Sequence, residues 1–293
     1  MKLYRSKKSE RGILETYDRL LKFWDTDYQE RDIPTSYGST HVIIAGKENR
    51  CPLVLFHGVG DDSALMWFYN AKELAKHFCI YAVDTLGGPG KSRPNKNYNK
   101  SFDNAVWIEE TLNGLMLQRV NLAGVSMGTY LAQYYTLIHP ERVNKVICMA
   151  GCVPTGEKSN SMKKMIKIFL PEALIPTKEN TRRIIRKLSG ENARVFLDHP
   201  LIMEHYGYLL KGFNNMAMGY HKLVSFTDKQ IDDIRDKVCY LVGERDPFAL
   251  MGGKDVLIKY HMNVTFFPGV GHGINHEIAE TINDIIIEEL TKG

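Results

Sequence analysis

Nothing in this chain of 293 residues approaches the roughly 20 uninterrupted apolar residues that a membrane-crossing helix needs. Cysteine is scarce and scattered. The five thiols (Cys51, Cys79, Cys148, Cys152 and Cys239) have neither the paired CxxC spacing of a zinc site nor the density of a disulfide scaffold, so a reducing cytoplasm is the expected compartment. The N-terminus scatters Arg5, Lys7, Lys8, Glu10 and Arg11 ahead of any apolar stretch, which does not fit a signal peptide. A formal charge of +4 is too mild to argue for nucleic acid, and no zinc-finger, homeodomain or RRM signature supplies a docking element. Long polar tracts and internal repeats are also missing, which leaves an ordinary folded globular chain.

Short apolar runs that end in Gly, Asp or His supply the strands of a largely buried parallel sheet. They are Leu53–Phe56, Ile80–Val83, Val120–Ala123, Val143–Cys148, Val238–Val242 and Val264–Phe267. His41–Ile44, preceded by Tyr37-Gly38, reads as part of an antiparallel hairpin at one edge. Helical periodicity fills the intervals over roughly 64–77, 101–117 and 128–138, with a last helix over 277–290. Alternating strand and helix implies βαβ units with right-handed crossovers, hence an α/β fold with helices on both faces of a mostly parallel, eight-stranded sheet. Ile13, Leu14, Tyr17, Leu20, Leu21 and Trp24 mark an amphipathic helix within 1–27, expected to pack on the core.

Between residues 153 and 226 the strand pattern stops and helical candidates broken by prolines take over, which reads as a cap inserted between core segments 28–152 and 227–293. Its basic residues (Lys163, Lys164, Lys167, Arg182, Arg183, Arg186 and Lys187) read as a solvated helix face, ahead of the alternative that they meet an anionic substrate. Met162, Met165, Phe169, Met216 and Met218 either pack the cap or line a pocket.

The chemistry sits where Val120–Ala123 runs into Gly124-Val-Ser126-Met-Gly128 and then into a helix. A serine on a sharp strand-to-helix turn leaves no room for side chains two residues to either side, which explains the glycines. Such a turn lifts the Ser126 hydroxyl above the sheet and aims the Met127 N–H at a developing oxyanion. A serine hydroxyl is barely ionised at neutral pH and needs a base. His272 is favoured because it lies in the glycine-rich turn Pro268–Gly273 after the last strand; His276, about one helical turn later, ranks second. Asp246 is the expected orienting acid, ahead of Glu244, although a helix N-cap followed by Pro247 explains the same residues.

From about Tyr28 onward the chain resembles the α/β-hydrolase superfamily, and more narrowly its bacterial carboxylesterases with a helical cap. The resemblance rests on Tyr37-Gly-Ser-Thr-His41, His57-Gly58, Asp84-Thr-Leu-Gly87, Gly124–Gly128, His139-Pro-Glu-Arg-Val143, Gly243-Glu-Arg-Asp246 and Gly271-His272. It implies the chain order Ser126, Asp246, His272, and a second oxyanion donor from the N–H of Val59. It also implies a small or medium acyl ester as substrate, with no cofactor or metal. Cleavage of C–C bonds, lactones or amides by the same residues is the alternative within enzymes, and a ligand-binding or signalling protein on this scaffold is the alternative outside them. His57 is read as a brace of its loop and, with Gly58, Val153 and Met216, as part of the substrate wall. A monomer or homodimer is expected. The chain departs from the family in two places. The turn Asp84–Ser92 is one residue longer than usual, and Thr129 stands where relatives carry glycine, from which looser packing of helix on sheet is expected.

Overall fold

The computed structural model describes residues 2–155, 172 and 174–292. The hairpin strands β1 (Tyr28–Thr35) and β2 (Gly38–Ala45) pair antiparallel, and β2 pairs antiparallel with β4 (Cys79–Val83). From β4 the sheet is parallel through β3 (Pro52–Phe56), β6 (Val120–Val125), β7 (Val143–Met149), β8 (Val238–Gly243) and β9 (Asn263–Phe267). Eight strands form this path, as the sequence suggests, and a two-residue strand β5 (Arg93–Pro94) adds a ninth by pairing with β2.

The central strands are apolar throughout because both of their faces are covered. Successive side chains alternate between two cores: Leu53, Leu55, Ala123, Val125, Ile147 and Leu241 pack on one side. On the other, Val54, Phe56, Leu122, Val146, Cys148, Tyr240 and Val242 pack with Trp107. The helix Lys7–Leu21, capped by the Ser6 side chain, lays Ile13, Tyr17, Leu20 and Leu21 into the first core, and Trp24 follows it there.

Two helical expectations change. Residues 64–77 form two short helices, Ser63–Met66 and Ala71–Leu74, and the buried Asn70 between them bonds to Asn275 and Asn283. The last helix is Ala279–Thr291, preceded by a separate turn Ile274–Glu277.

The described part of the cap stretch holds the helices Lys178–Leu188, Arg194–Leu197 and Pro200–Gly212 and the turn Asn215–Met218, with no strand among its described residues. Lys163, Lys164, Lys167, Met162, Met165 and Phe169 lie outside the described residues. Arg183 and Arg186 lie within 4 Å of Glu179 on an open surface, as a solvated helix face should. Among the described residues no helix is long and apolar enough to cross a membrane.

Candidate active site

Strand β6 ends at Val125, and the helix Met127–Ile138 starts two residues later. Ser126 makes the turn with φ 56° and ψ −113°, a conformation that L-residues with side chains seldom adopt and that costs on the order of 1–3 kcal/mol. The turn is held by the Ser126 N–H, which donates to the Met149 carbonyl on β7 at 2.9 Å. Crowding accounts for both glycines. A Cβ at Gly124 would sit 2.2 Å from the Gly128 backbone, and one at Gly128 would sit 2.1 Å from the Phe56 carbonyl oxygen.

The loop after β3 lies against this turn, since a Cβ at Gly58 would come within 3.3 Å of the Ser126 Cβ. Val59, next along, is exposed. His57 is wholly buried, so it does not join the substrate wall as expected; it works from behind the loop. Its Nδ1 donates to the Gly58 carbonyl at 2.8 Å and its Nε2 accepts from the Thr85 N–H at 2.8 Å. Val153 is likewise buried, packed in the second core, whereas Met216 is exposed on the turn Asn215–Met218.

Strands β8 and β9 deliver the other two side chains to the same carboxyl edge of the sheet. The Asp246 Oδ2 lies 2.9 Å from the His272 Nδ1, and the Asp246 Oδ1 accepts from the Phe248 N–H at 2.8 Å. Asp246 is 1% exposed and His272 16%, so the carboxylate is sealed behind the ring it orients. The Phe248 ring packs against the imidazole, tilted by 53°, with the ring centroids 4.6 Å apart. Asp246 thus faces the imidazole with one oxygen and holds the Phe248 N–H with the other, but it is not a helix N-cap: the helical turn that follows is Ala249–Met251, with Phe248 at its N-cap position. Glu244 is engaged elsewhere, with Lys254 at 2.9 Å. His276 points into the protein, where its Nε2 donates to the Leu65 carbonyl at 3.0 Å and burial lowers its pKa to about 4. No direct hydrogen bond joins the Ser126 hydroxyl to His272 among the described residues, and bonds of this kind are often long before substrate binds.

Several residues that position the site escape the sequence reading. Glu277, nearly buried, accepts from the backbone N–H groups of Gly190 and Gly271 at 2.8 and 3.1 Å, pinning the loop that carries His272. The His272 N–H also donates to the Leu188 carbonyl at 2.7 Å. Asp84 gathers the Ser63 N–H, the Lys91 N–H and the Tyr17 hydroxyl. The turn after it brings Gly87, at φ +83°, to where a Cβ would lie 2.8 Å from the Ala217 carbonyl oxygen, so this turn packs against the segment that follows the helix Pro200–Gly212.

Thr129 corrects an expectation. Its buried hydroxyl is within 3.2 Å of the Gly124 carbonyl and 3.1 Å of the Met149 carbonyl, and Gly151 opposite leaves space for it, so helix and sheet pack closely. Among the described residues no group of three or more His, Cys, Asp or Glu side chains is placed to hold a metal ion.

Residues 52–183 match the model of the alpha/beta hydrolase fold family. Over 95% of its length the chain is 32% identical to Carboxylesterase YbfK of Bacillus subtilis, covering 93% of that protein. The match to the uncharacterized carboxylesterase nap of the same organism has the same identity and coverage. The crystal structure of naproxen esterase from Bacillus subtilis superposes with a TM-score of 0.81 at 20% identity, over 98% of this chain and all of that one. This chain belongs to the α/β-hydrolase family, alongside these Bacillus carboxylesterases.

Proposed function

We propose that this protein is a serine carboxylesterase in which Ser126 is the nucleophile, His272 the general base and Asp246 the residue that orients the base. The observation that carries the reading is the 2.9 Å bond from His272 to a sealed Asp246, at the sheet edge that also presents the strained Ser126. With Nδ1 donating to Asp246, the imidazole keeps Nε2 free to take a proton, as a base for serine must. The Ser126 oxygen attacks the ester carbonyl while its proton passes to His272. The resulting oxyanion is held by the N–H groups of Met127, at the start of a helix, and Val59. Collapse of the intermediate expels the alcohol with the proton from His272, and water then releases the acid by the same route.

Small or medium acyl esters are the substrate class, with Gly58 beside the nucleophile and Met216 exposed near the Val59 loop. Residues 153–226 are read as the cap and the remainder from 28 onward as the core. Five free thiols support a cytoplasmic setting.

The test is hydrolysis of p-nitrophenyl acetate and butyrate, together with fluorophosphonate labelling and peptide mapping. Turnover that falls at least about 1,000-fold in Ser126→Ala, with the adduct on Ser126, supports the reading. An adduct on another residue, or ester turnover that survives the substitution, refutes it.

A further inference from the structure

Directly after the oxyanion loop stand two neighbouring acids, Asp61 and Asp62, both buried. They have unequal partners. Asp62 accepts from the His205 Nε2 at 2.8 Å and from the Leu65 N–H at 3.1 Å, and the His205 Nδ1 lies 2.6 Å from the Thr16 hydroxyl. Thr16 lies on the N-terminal helix and His205 on the cap helix Pro200–Gly212, so this chain of bonds ties three elements together. Burial opposes the charge on Asp62, but His205 and the Leu65 N–H outweigh it and hold this acid below the usual carboxylate range.

Asp61 has little of this. Its Oδ1 accepts from the Asp62 N–H at 2.9 Å, and its Oδ2 has a 3.5 Å contact with the Tyr206 hydroxyl on the cap helix. Between Asp61 and Val59 lies Gly60, at φ +74°, where a Cβ would press within 2.9 Å of the Asn215 side chain. The oxyanion loop is therefore lodged between the turn that begins at Asn215 and the cap helix. From Tyr206 the wall continues through Phe196, whose ring lies 6.3 Å from that of Tyr206 and packs on Gly273 beside His272.

We propose that Asp61 is a positioning residue for the ester reaction: a buried acid that joins the oxyanion loop to Tyr206 on the cap helix and sets the alkaline side of the pH profile. The inference rests on the esterase reading. Burial, and next the charge of Asp62, push Asp61 up to about 7, so it carries its proton on the acid side of neutrality. The ionisable groups facing it are Asp62 on its own loop and His205 and Tyr206 on the cap helix; Tyr17 and Asp84 lie behind Asp62. When Asp61 ionises, a second negative charge appears beside Asp62, two residues from the N–H that must meet an oxyanion. Like charges in so dry a place repel strongly, which works against the oxyanion in the transition state.

The experiment is kcat for p-nitrophenyl acetate, a substrate with no ionisable group, from about pH 5.5 to pH 9.5 in wild type, Asp61→Asn and Tyr206→Phe. The wild-type rate should fall about 10-fold between neutrality and pH 9. Asp61→Asn should keep the acid side, which belongs to the general base, and lose the alkaline fall. Tyr206→Phe, which removes a group that favours the ionised acid, should move the fall to higher pH. An alkaline fall that persists in Asp61→Asn, or a wild-type rate that stays level to pH 9, overturns the proposal. Fluorophosphonate labelling of Ser126 in all three proteins separates the outcomes. If Ser126 is labelled and the profiles do not differ, this inference alone fails; if it is not labelled, the esterase reading fails and takes this one with it.

Discussion

Replacing Asp246 by Asn tests the site most severely, because it keeps shape and removes one acceptor. Two donors face the carboxylate in the wild type: the His272 Nδ1–H at 2.9 Å and the Phe248 N–H at 2.8 Å. An asparagine has a single acceptor oxygen. If that oxygen stays with Phe248, the amide NH2 faces Nδ1 and forces the ring proton onto Nε2, the nitrogen that must accept from Ser126. If the oxygen turns to His272, two N–H groups confront each other at a site 1% exposed, which costs about 1–3 kcal/mol. In either arrangement the imidazolium formed during attack loses its counter-charge. The expected loss is about 10^4-fold in kcat, or about 5 kcal/mol of barrier, with KM nearly unchanged. Steady-state kinetics on p-nitrophenyl butyrate, paired with a melting curve to establish the fold, measure it, and the rate of fluorophosphonate labelling should fall in parallel. A folded variant within 10-fold of wild type would leave Asp246 as a brace of the Phe248 turn and nothing more.

Buried histidines give the second prediction, since His221 and His276 are both lowered to about 4 by burial. Each takes a proton in the unfolded chain below about pH 6.5 while staying neutral when folded, so stability is lost as pH falls from 6.5 toward 4, by up to about 3 kcal/mol per ring. Asp61 acts in the opposite sense, because its folded carboxyl keeps its proton up to about 7 and adds stability in acid that is lost as pH rises from 3.8 through that value. Urea midpoints should therefore fall with pH more steeply in Asp61→Asn than in wild type; equal slopes would refute the bookkeeping. The third prediction concerns Gly151, where a Cβ would come within 2.5–2.8 Å of Thr129 side-chain atoms, so Gly151→Ala should cost about 1–3 kcal/mol. Combined with Thr129→Gly the two changes should be non-additive, the pair being more stable than the sum of the singles; strict additivity in chemical denaturation would count against the contact.

What could be read from the sequence divides by the reach of the interaction. Strands buried on both faces announce themselves as unbroken apolar runs, and the Ser126 turn is legible because Gly124 and Gly128 stand two residues to either side of it, even though Gly128 is crowded by the distant Phe56 carbonyl. His272 is legible for a similar reason, carried in a glycine-rich turn just past a strand. The positioning groups are not. Asn70 interrupts the expected helix over 64–77 and bonds to partners more than 200 residues away, which no local periodicity encodes. Glu277 reads as the first residue of a helix, yet its carboxylate reaches back 87 residues to the Gly190 N–H. Asp61 and Asp62 look like an ordinary charged loop until His205 and Tyr206, 143 and 145 residues on, distinguish them. A buried polar group must find a partner or shift its ionisation, and the partner's position is set by topology, not by sequence neighbours. The Ser126 turn and the His272 loop can therefore be found by motif, whereas the contacts that hold them in place emerge only when the helix Pro200–Gly212 and the loop after β3 are seen together.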